Sequence, residues 1–241
     1  MSEKILGLVV NVRKYNDRNN VVTLYTRSRG RLTFISPIGS GKSAAARRAR
    51  LQPLTLVAAE IHYKPTAELQ RLGAISSPEI WSDIYFHPHK RIIALFVSEF
   101  LYHLLNATMA DEKLFDFLVE AIRLLDRMKE GVADFHIPFL VSLLSFSGIQ
   151  PDVSSYRPGM VFDIHSGSFL YPEETSGPII SSDDAAHIPL VSRLNFTNIK
   201  KFRPGNAGRR QILYGLLNYY SYHFPGLGNL KSPEVLRQLF Q

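Results

Sequence analysis

The chain has 241 residues, of which 45% are hydrophobic and 20% charged, and this composition is that of an ordinary globular protein. It contains no cysteine, which excludes disulfides, thiolate zinc sites, iron–sulfur clusters and cysteine nucleophiles. No apolar run reaches the roughly 18 residues that a membrane span needs, and no signal peptide pattern follows Met1.

The positive charge of the chain is concentrated in its first third. The net charge is +7. Residues 1–80 hold 13 Lys and Arg against 5 Asp and Glu, whereas the remaining residues hold 15 basic and 16 acidic side chains. A basic segment of this kind favours a polyanionic partner, either nucleic acid or an anionic membrane surface. The alternative is a basic face that only keeps the protein in solution.

The same third has the composition and alternation of β-strands. Five apolar segments separated by turn residues predict strands at residues 5–12, 22–26, 32–35, 54–63 and 69–75. Gly30 belongs to the turn between the second and third strands, because glycine adopts positive φ without strain. Five short strands in one short segment predict a small closed barrel of the OB-fold class. An SH3-like barrel has a similar number of strands and remains an alternative.

Beyond Pro78 the apolar residues recur with the 3.6-residue period of helices. We predict helices at about 89–107, 111–131, 135–146, 208–223 and 233–239. Asp111 is the expected N-cap of the second helix and Gly131 its stop. The fold class is therefore α+β, with an N-terminal five-stranded OB-fold domain at residues 1–80 and a helical domain at residues 81–241.

Residues 149–178 interrupt the helical pattern. This cysteine-free insert is rich in Ser, Gly and Pro, and we expect it to be largely irregular. Within it, residues 160–162 and 168–171 are suited to pair as a hairpin across His165-Ser166-Gly167.

Gly39-Ser40-Gly41-Lys42-Ser43 resembles part of a P-loop, in which backbone N–H groups and a lysine bind phosphates. The full pattern needs a glycine five residues before Gly41, and that position is Ser36. A P-loop domain also needs several βα units and an acidic strand end that holds Mg²⁺, and the sequence predicts neither. We favour a flexible loop that carries a basic cluster, with a phosphate-handling enzyme that uses Gly39–Ser43 as the alternative.

The densest positive run of the chain follows this loop and ends at Arg50. Further cations end the first predicted strand or surround the turn between the second and third. Phosphates are matching anions for such clusters, and arginine binds them in a bidentate geometry. Among the nearby aromatic residues, Tyr25 either stacks on a base or belongs to the core, and Phe34 is expected in the core. The predicted nucleic-acid-binding residues are Arg13, Lys14, Tyr25, Arg27, Arg29, Arg31, Lys42, Arg47, Arg48 and Arg50.

Other motifs give no convincing site. His87-Pro-His89 resembles a metal-binding pair, but no further ligand at suitable spacing supports it. No serine lies in a G-x-S-x-G motif with an identifiable partner. We therefore predict no catalytic residue, no metal and no other cofactor. A second basic segment either extends a nucleic-acid surface or balances acidic helices, and its members are Lys200, Lys201, Arg203, Arg209 and Arg210.

Several short motifs, in order along the chain, resemble those of a known family. Their order and spacing together resemble the bacterial recombination mediator RecO over most of the chain. The residues that carry the resemblance are Tyr15-x-Asp17, Val21-Val22-x-Leu24-Tyr25-Thr26, Gly30-Arg31-Leu32, a loop with Gly39 and a basic segment, Leu51-Gln52-Pro53-Leu54, and Leu230-Lys231-Ser232-x-x-x-Leu236.

The resemblance implies an OB-fold followed by a helical domain, in agreement with the periodicity. It also implies a protein that binds single- and double-stranded DNA, anneals complementary strands, and works with RecR to load RecA onto strands covered by single-strand-binding protein. We expect the acidic tail of single-strand-binding protein on the helical domain. Many relatives hold zinc with four cysteines in the region that matches residues 149–178. This chain has none, so either packing replaces the metal or the segment is looser.

The leading hypothesis is a DNA-binding recombination mediator in DNA repair, located in the cytoplasm and associated with the nucleoid. It needs no active site, because annealing depends on charge neutralisation and not on a catalytic group. Two alternatives are the phosphate-handling enzyme described above and a general OB-fold module that binds RNA or another protein.

Overall fold

The computed structural model of the protein describes residues 2–106, 109–199 and 205–237. The chain divides into two compact units, Met1–Met128 and Lys129–Gln241. Among the described residues, no helix is long and apolar enough to cross a membrane.

The first unit begins with a closed barrel of five strands. The strands are β1 (Ser2–Lys14), β2 (Asn19–Thr26), β3 (Gly30–Pro37), β4 (Leu56–His62) and β5 (Gln70–Ser76). They follow the order β1-β2-β3-β5-β4, and β4 pairs with β1 to close the barrel. All pairs are antiparallel except β3 with β5, and the helix α1 (Gly41–Arg50) connects β3 to β4. This topology confirms the predicted OB-fold.

Alternation along the strands places every second side chain in the barrel interior. Phe34 and Val22 are fully buried there, as predicted for Phe34, and Leu51, which follows α1, joins the same cluster. Gly73 is required where β5 approaches β4 closely, since a Cβ at that position would lie 2.6 Å from the carbonyl oxygen of Glu60.

Two helices complete the first unit, α2 (Pro88–Leu104) and α3 (Glu112–Arg127). The carboxylate of Asp111 accepts a hydrogen bond from the N–H of Leu114 at 3.0 Å, so Asp111 is the N-cap that the sequence predicted. α2 lies against β1, where Ser98 Oγ donates to the carbonyl oxygen of Val10 at 2.8 Å. The compact unit that contains the barrel thus extends through α3, and a separate domain at residues 1–80 remains a prediction.

A buried polar cluster joins α2 and α3 to the turn that follows the barrel. The carboxylate of Asp126 accepts hydrogen bonds from the N–H groups of Ser82, Asp83 and Ile84 and from the Ser82 hydroxyl, at 2.9–3.1 Å. The ammonium of Lys90, whose side chain is fully buried, donates to the Asp83 carboxylate and to the Asp126 carbonyl oxygen, each at 2.7 Å. The turn before α2 is therefore fixed by both helices.

The second unit combines helices with a small sheet. Its helices are α4 (His136–Phe146), α5 (Ser182–Ala185), α6 (Ile188–Val191), α7 (Gly205–His223) and α8 (Ser232–Leu236). Its strands, in the order β7-β6-β8, are β6 (Val161–Asp163), β7 (Ser168–Leu170) and β8 (Ile179–Ile180). The pairing of β6 with β7 confirms the predicted hairpin, whereas β8 was not predicted. The predicted helix ends at residues 107 and 239 lie outside the described residues.

Aromatic packing holds this small sheet. The ring centroid of Phe162 lies 5.2 Å from that of Phe169 and 5.5 Å from that of Tyr219. The Tyr219 hydroxyl donates to the carbonyl oxygen of Ile149 at 2.9 Å, and Tyr156 packs on Phe169 with 4.9 Å between centroids. The insert has no cysteine, and the described part of the chain contains no cluster of three potential metal ligands. These residues do not fit a four-cysteine zinc site.

We expect metal chelation to leave the second unit folded. Because ring packing rather than metal–ligand bonds holds the sheet, EDTA should not lower the unfolding temperature. Metal analysis of protein purified without a histidine tag should find no stoichiometric zinc. A loss of circular dichroism signal on adding EDTA would contradict this prediction.

Candidate nucleic-acid interface

The basic run after Ser40 forms a helix, not the flexible loop that we expected. Gly39 and Gly41 adopt positive φ angles of 56° and 78° where the chain enters α1, with Ser40 as the N-cap. Three consecutive alanines favour helix at this point, and the first of them, Ala44, is buried. The following strand belongs to an antiparallel pair of a barrel, so the fold around Gly39–Ser43 is not that of a P-loop domain.

Arg47 is bound by the barrel itself. Its guanidinium donates to Ser36 Oγ at 2.9 Å and to the carbonyl oxygens of Leu72 and Gly73 at 3.0 and 3.1 Å. These hydrogen bonds tie α1 to β3 and β5, the two strands that are joined by a short parallel pairing. Desolvation lowers the pKa of Arg47, as expected for a cation partly withdrawn from water. Because its guanidinium N–H groups already donate to β3 and β5, we do not include Arg47 among the proposed phosphate-binding residues.

Replacing Arg47 by alanine is expected to lower the free energy of unfolding by about 2 kcal/mol, since hydrogen bonds from charged donors contribute about 1.5–3 kcal/mol. The same change at the exposed Arg48 should alter it by less than about 0.5 kcal/mol. Urea unfolding followed by the fluorescence of Trp81, the sole tryptophan, measures both effects in this unit. Equal destabilisation by the two substitutions would contradict a structural role for Arg47.

Arg48 and Arg50 lie on the outside of α1. Both are exposed, and neither forms an ion pair with a described residue. At about 100° per residue, their side chains leave the helix about 160° apart, one on each flank. Lys42, which is also exposed, lies between them around the helix. α1 therefore presents its free cations across the side that faces away from the barrel and not in one narrow stripe.

Two more cations, Arg13 and Arg71, lie in one row of laterally paired residues that crosses four neighbouring strands of the barrel. Arg13 pairs with Val21, Val21 with Ile35, and Ile35 with Arg71. Directly paired residues point to the same face of a sheet, and the neighbouring Phe34 points inward, so this row faces outward. At about 4.8 Å per strand, Arg13 and Arg71 are about 14 Å apart along the sheet. Both arginines are exposed.

The turn between β1 and β2 adds a cation and an aromatic ring. Arg18 is exposed, and its carbonyl oxygen accepts a hydrogen bond from the N–H of Ile38 at 2.9 Å, which places the turn beside the entry to α1. Tyr15 is 57% exposed. Lys14 forms an exposed ion pair with Asp17 at 2.7 Å. Because such pairs contribute at most about 1 kcal/mol, a phosphate can replace Asp17 at little cost.

The three arginines around the β2–β3 turn have partners within the unit. Arg27 binds the carboxylate of Asp116 with two nitrogens at 3.1 Å, and Arg29 binds that of Glu3 at 2.5 and 2.7 Å. Hydrogen bonds from these arginines hold the pKa of both carboxyls below its ordinary value. Arg31 donates to a backbone carbonyl oxygen of α2 at 2.7 Å. A phosphate would have to compete with these partners.

Tyr25 does not present a ring face to a base. It is fully buried, and its ring centroid lies 6.3 Å from that of Phe115 on α3. Its hydroxyl donates to the carbonyl oxygen of Met109 at 3.4 Å, and burial raises the pKa of that hydroxyl. We therefore correct the stacking role considered for Tyr25: in this fold it is a core residue.

Three exposed residues near α1 were not among the nucleic-acid-binding residues predicted from the sequence: Tyr15, Arg18 and Arg71. Arg71 alternates with the buried Gln70 and Leu72, so the strand pattern alone marks it as outward-facing. Arg18 and Tyr15 both lie in the turn between β1 and β2. Six exposed cations without an ion-pair partner among the described residues thus surround α1 and the adjoining strands. We refer to them as the outer cations: Arg13, Arg18, Lys42, Arg48, Arg50 and Arg71.

The remaining candidates are not brought into a site. Lys200, Lys201 and Arg203 lie outside the described residues, and Arg209 forms an ion pair with Asp134 within the second unit. The rings of His87 and His89 are 5.5 Å apart, but no third potential ligand joins them among the residues that the structure describes.

Comparisons with known proteins cover both units. The family description "Recombination protein O N terminal" matches residues 1–79, and "Recombination protein O C terminal" matches residues 87–234. The chain belongs to the RecO family. The names of the family and of its curated members refer to recombination and to DNA repair. The RecO N-terminal match coincides with the OB-barrel.

Curated RecO relatives match the chain along its whole length. The DNA repair protein RecO of Bacteroides fragilis is 34% identical over 242 residues, and that of Phocaeicola vulgatus is 31% identical over 240, with 100% of each chain covered. The DNA repair protein RecO of Porphyromonas gingivalis is 33% identical over 239 residues, with 97% of each chain covered.

Proposed function

We propose that this protein binds single- and double-stranded DNA through its OB-barrel and α1. The observation that carries the proposal is the set of six outer cations on adjoining elements of one barrel. Each cation that contacts a phosphate releases condensed counterions, which gives affinity without sequence preference. Membership of a DNA repair family supports DNA as the polyanion.

We further propose that the protein anneals complementary strands without a catalytic group. Two single strands repel each other through their phosphates, and the outer cations lower this repulsion. Contacts to phosphates leave the base edges free to pair. The turn between β1 and β2, which carries Arg18 and Tyr15, is among the loops that OB-folds use for oligonucleotides.

The family similarity also supports a set of protein partners. We propose that the protein works with RecR to load RecA onto DNA covered by single-strand-binding protein, whose acidic tail binds the helical part. The second unit contains an apolar groove of about 700 Å³ between α4, β6 and α7. Two exposed arginines are adjacent in sequence to residues that line this groove: Arg193 follows Ser192, and Arg210 precedes Gln211. We propose that they bind carboxylates of the tail.

Fluorescence anisotropy with labelled DNA across a salt series tests DNA binding. We expect log–log salt dependence with a negative slope for a single strand and for a duplex, and faster annealing of complementary strands in the presence of the protein. RecA assembly on strands covered by single-strand-binding protein should require both this protein and RecR. Absence of DNA binding at low salt would refute the proposal, and ATP turnover would favour the enzyme alternative.

A further inference from the structure

Phe86 is an aromatic residue whose backbone belongs to a hydrogen-bonded turn and whose side chain lies in solvent. It is 82% exposed. The N–H groups of Phe86 and His87 both donate to the carbonyl oxygen of Asp83, at 3.1 and 2.9 Å. This is the turn that Asp126 and Lys90 fix from α3 and α2. The turn therefore fixes the backbone of Phe86 and leaves its apolar ring accessible to a partner.

Phe86 lines a groove of about 400 Å³ between the end of α1 and the start of α2. A volume of this size lies within the range of about 300–1,000 Å³ that is typical of ligand sites. The α1 side is formed by Ala49 and Pro53, and the α2 side by Arg91 and Leu95. The groove therefore combines apolar walls with one cationic group.

The wall of the groove near Pro53 is fixed by hydrogen bonds. The Tyr85 hydroxyl donates to the carbonyl oxygen of Pro53 at 3.0 Å, and the indole N–H of Trp81 donates to that of Leu54 at 2.8 Å. Leu54 has a φ of 63°, in the left-handed region that non-glycine residues rarely adopt. Such strain persists only where the surroundings impose it, and it is concentrated at binding sites.

Arg91 is the charged residue among those that line the groove. Arg91 is exposed and forms no ion pair with a described residue, and none of the residues that line the groove is acidic. Ala49 lies between Arg48 and Arg50, which leave α1 at about 100° to either side of it. An apolar groove with one cation on its wall, two arginines on the flanks of the adjoining helix and no carboxylate among its lining residues fits an anionic ligand that also has a flat apolar face.

We propose that an unpaired base of single-stranded DNA stacks on Phe86 in this groove, while its neighbouring phosphates contact Arg91 and the arginines that flank Ala49. The inference rests on the proposed DNA binding and deepens it, because it separates single strands from duplexes. A base in a duplex is already stacked on both faces, whereas an unpaired base can leave its neighbours for an aromatic ring. Phe86 then supplies the stacking contact that the buried Tyr25 cannot.

The full-length variant Phe86→Ala tests the stacking contact. We expect its affinity for an unstructured oligothymidylate to fall by at least about fivefold, the lower limit that alanine substitution of stacking aromatics gives. The log–log salt slope should not change, because no phosphate contact is removed. Affinity for a duplex should stay within twofold of the parent. A 2-aminopurine base in the oligonucleotide should change its fluorescence on binding the parent and less on binding Phe86→Ala.

Two control variants make the test specific. Ile80→Ala removes another apolar side chain that is 81% exposed but does not line the groove, and it should bind as the parent does. Phe86→Trp keeps a stacking surface and should retain most of the affinity. Arg91→Ala should make the salt slope shallower by about 0.7, the value for one single-strand phosphate contact.

The outcomes separate this inference from the proposed function. If Phe86→Ala binds oligothymidylate as tightly as the parent, stacking in the groove is refuted, and DNA binding through the outer cations still stands. An equal loss for Ile80→Ala or for the duplex also overturns the inference, because the effect would then not belong to unpaired bases in this groove. If the parent itself binds no DNA, the proposed function is refuted, and the stacking inference that rests on it is refuted as well.

Discussion

Replacing Arg18, Arg48 and Arg50 together by alanine is expected to make the log–log salt slope of single-strand binding shallower by about 2. Each phosphate contact on a single strand contributes about 0.7 to that slope. Three lost contacts correspond to an affinity loss of about 100-fold at 0.1 M salt and a small loss near 1 M. The loss should be similar for all sequences, because phosphate contacts carry no base information.

A control with the same charge change distinguishes contacts from net charge. Lys4, Lys113 and Arg127 are exposed cations of the same unit that lie on the first residues of β1 and on α3. Their triple alanine variant should keep the slope within about 0.7 of the parent. Equal slopes for the two triple variants would show that Arg18, Arg48 and Arg50 contribute net charge and no phosphate contacts. The DNA contacts would then have to be sought on Arg27, Arg29 and Arg31.

Arg47 is deliberately absent from this test. The sequence alone places it in the same basic run as Arg48 and Arg50, and nothing local separates the three. The separation comes from tertiary structure, because the carbonyl oxygens that bind Arg47 belong to β5, 25 and 26 residues further along the chain. Removing Arg47 would mix a loss of folding with a loss of binding.

The barrel could be predicted from the sequence because its signals are local. Alternation and turn residues located five strands, and alternation also placed Phe34 inside. Alternation puts Tyr25 on the opposite, outer face. What covers that face is not local: Phe115 and Met109 come from segments more than 80 residues away. Periodicity identifies a helix but not the surface on which the helix packs, so the burial of Tyr25 could not be predicted.

The same limit applies to the charges of the candidate site. A sequence shows which side chains are cationic, but the partners of Arg27 and Arg29 are 89 and 26 residues away. Because of these ion pairs, a DNA phosphate would have to compete with a carboxylate of the protein for Arg27 and for Arg29. Conversely, no sequence pattern indicated that Phe86 is exposed, because a single aromatic residue before a helix is ordinarily assigned to a core.

Replacing the buried Lys90 by alanine is expected to lower the free energy of unfolding of the first unit by about 3–5 kcal/mol, the usual cost of breaking a buried ion pair. The side chain is fully buried, and its loss leaves the Asp83 carboxylate and the Asp126 carbonyl oxygen without the ammonium. Urea unfolding followed by Trp81 fluorescence measures this unit specifically. Lys113→Ala, at an exposed site, should cost less than about 0.5 kcal/mol.

The variant Lys90→Met distinguishes the loss of the ion pair from the cavity that alanine leaves. It fills most of the space but cannot donate to Asp83 or Asp126, so it should remain destabilising, though less so than alanine. If Lys90→Met is as stable as the parent, the ion pair contributes nothing and the cavity explains the alanine variant. Loosening this turn should also weaken single-strand binding, because the turn carries Phe86.

The carboxylate of Asp126 should make the stability of this unit depend on pH in the acidic range. Burial by itself raises the pKa of Asp126, but hydrogen bonds from Asp83, Ile84 and Ser82 outweigh it and leave the pKa below its ordinary value. A carboxyl whose pKa is lower in the folded state adds stability above its unfolded pKa of about 3.9, and this stability is lost as the pH falls through the folded pKa. Asp126→Asn, which cannot ionise, should be clearly less stable than the parent at pH 7, and the difference should shrink as the pH falls below about 4. A difference that is constant from pH 7 to the acid limit of folding would show that the charge on Asp126 does not stabilise the turn.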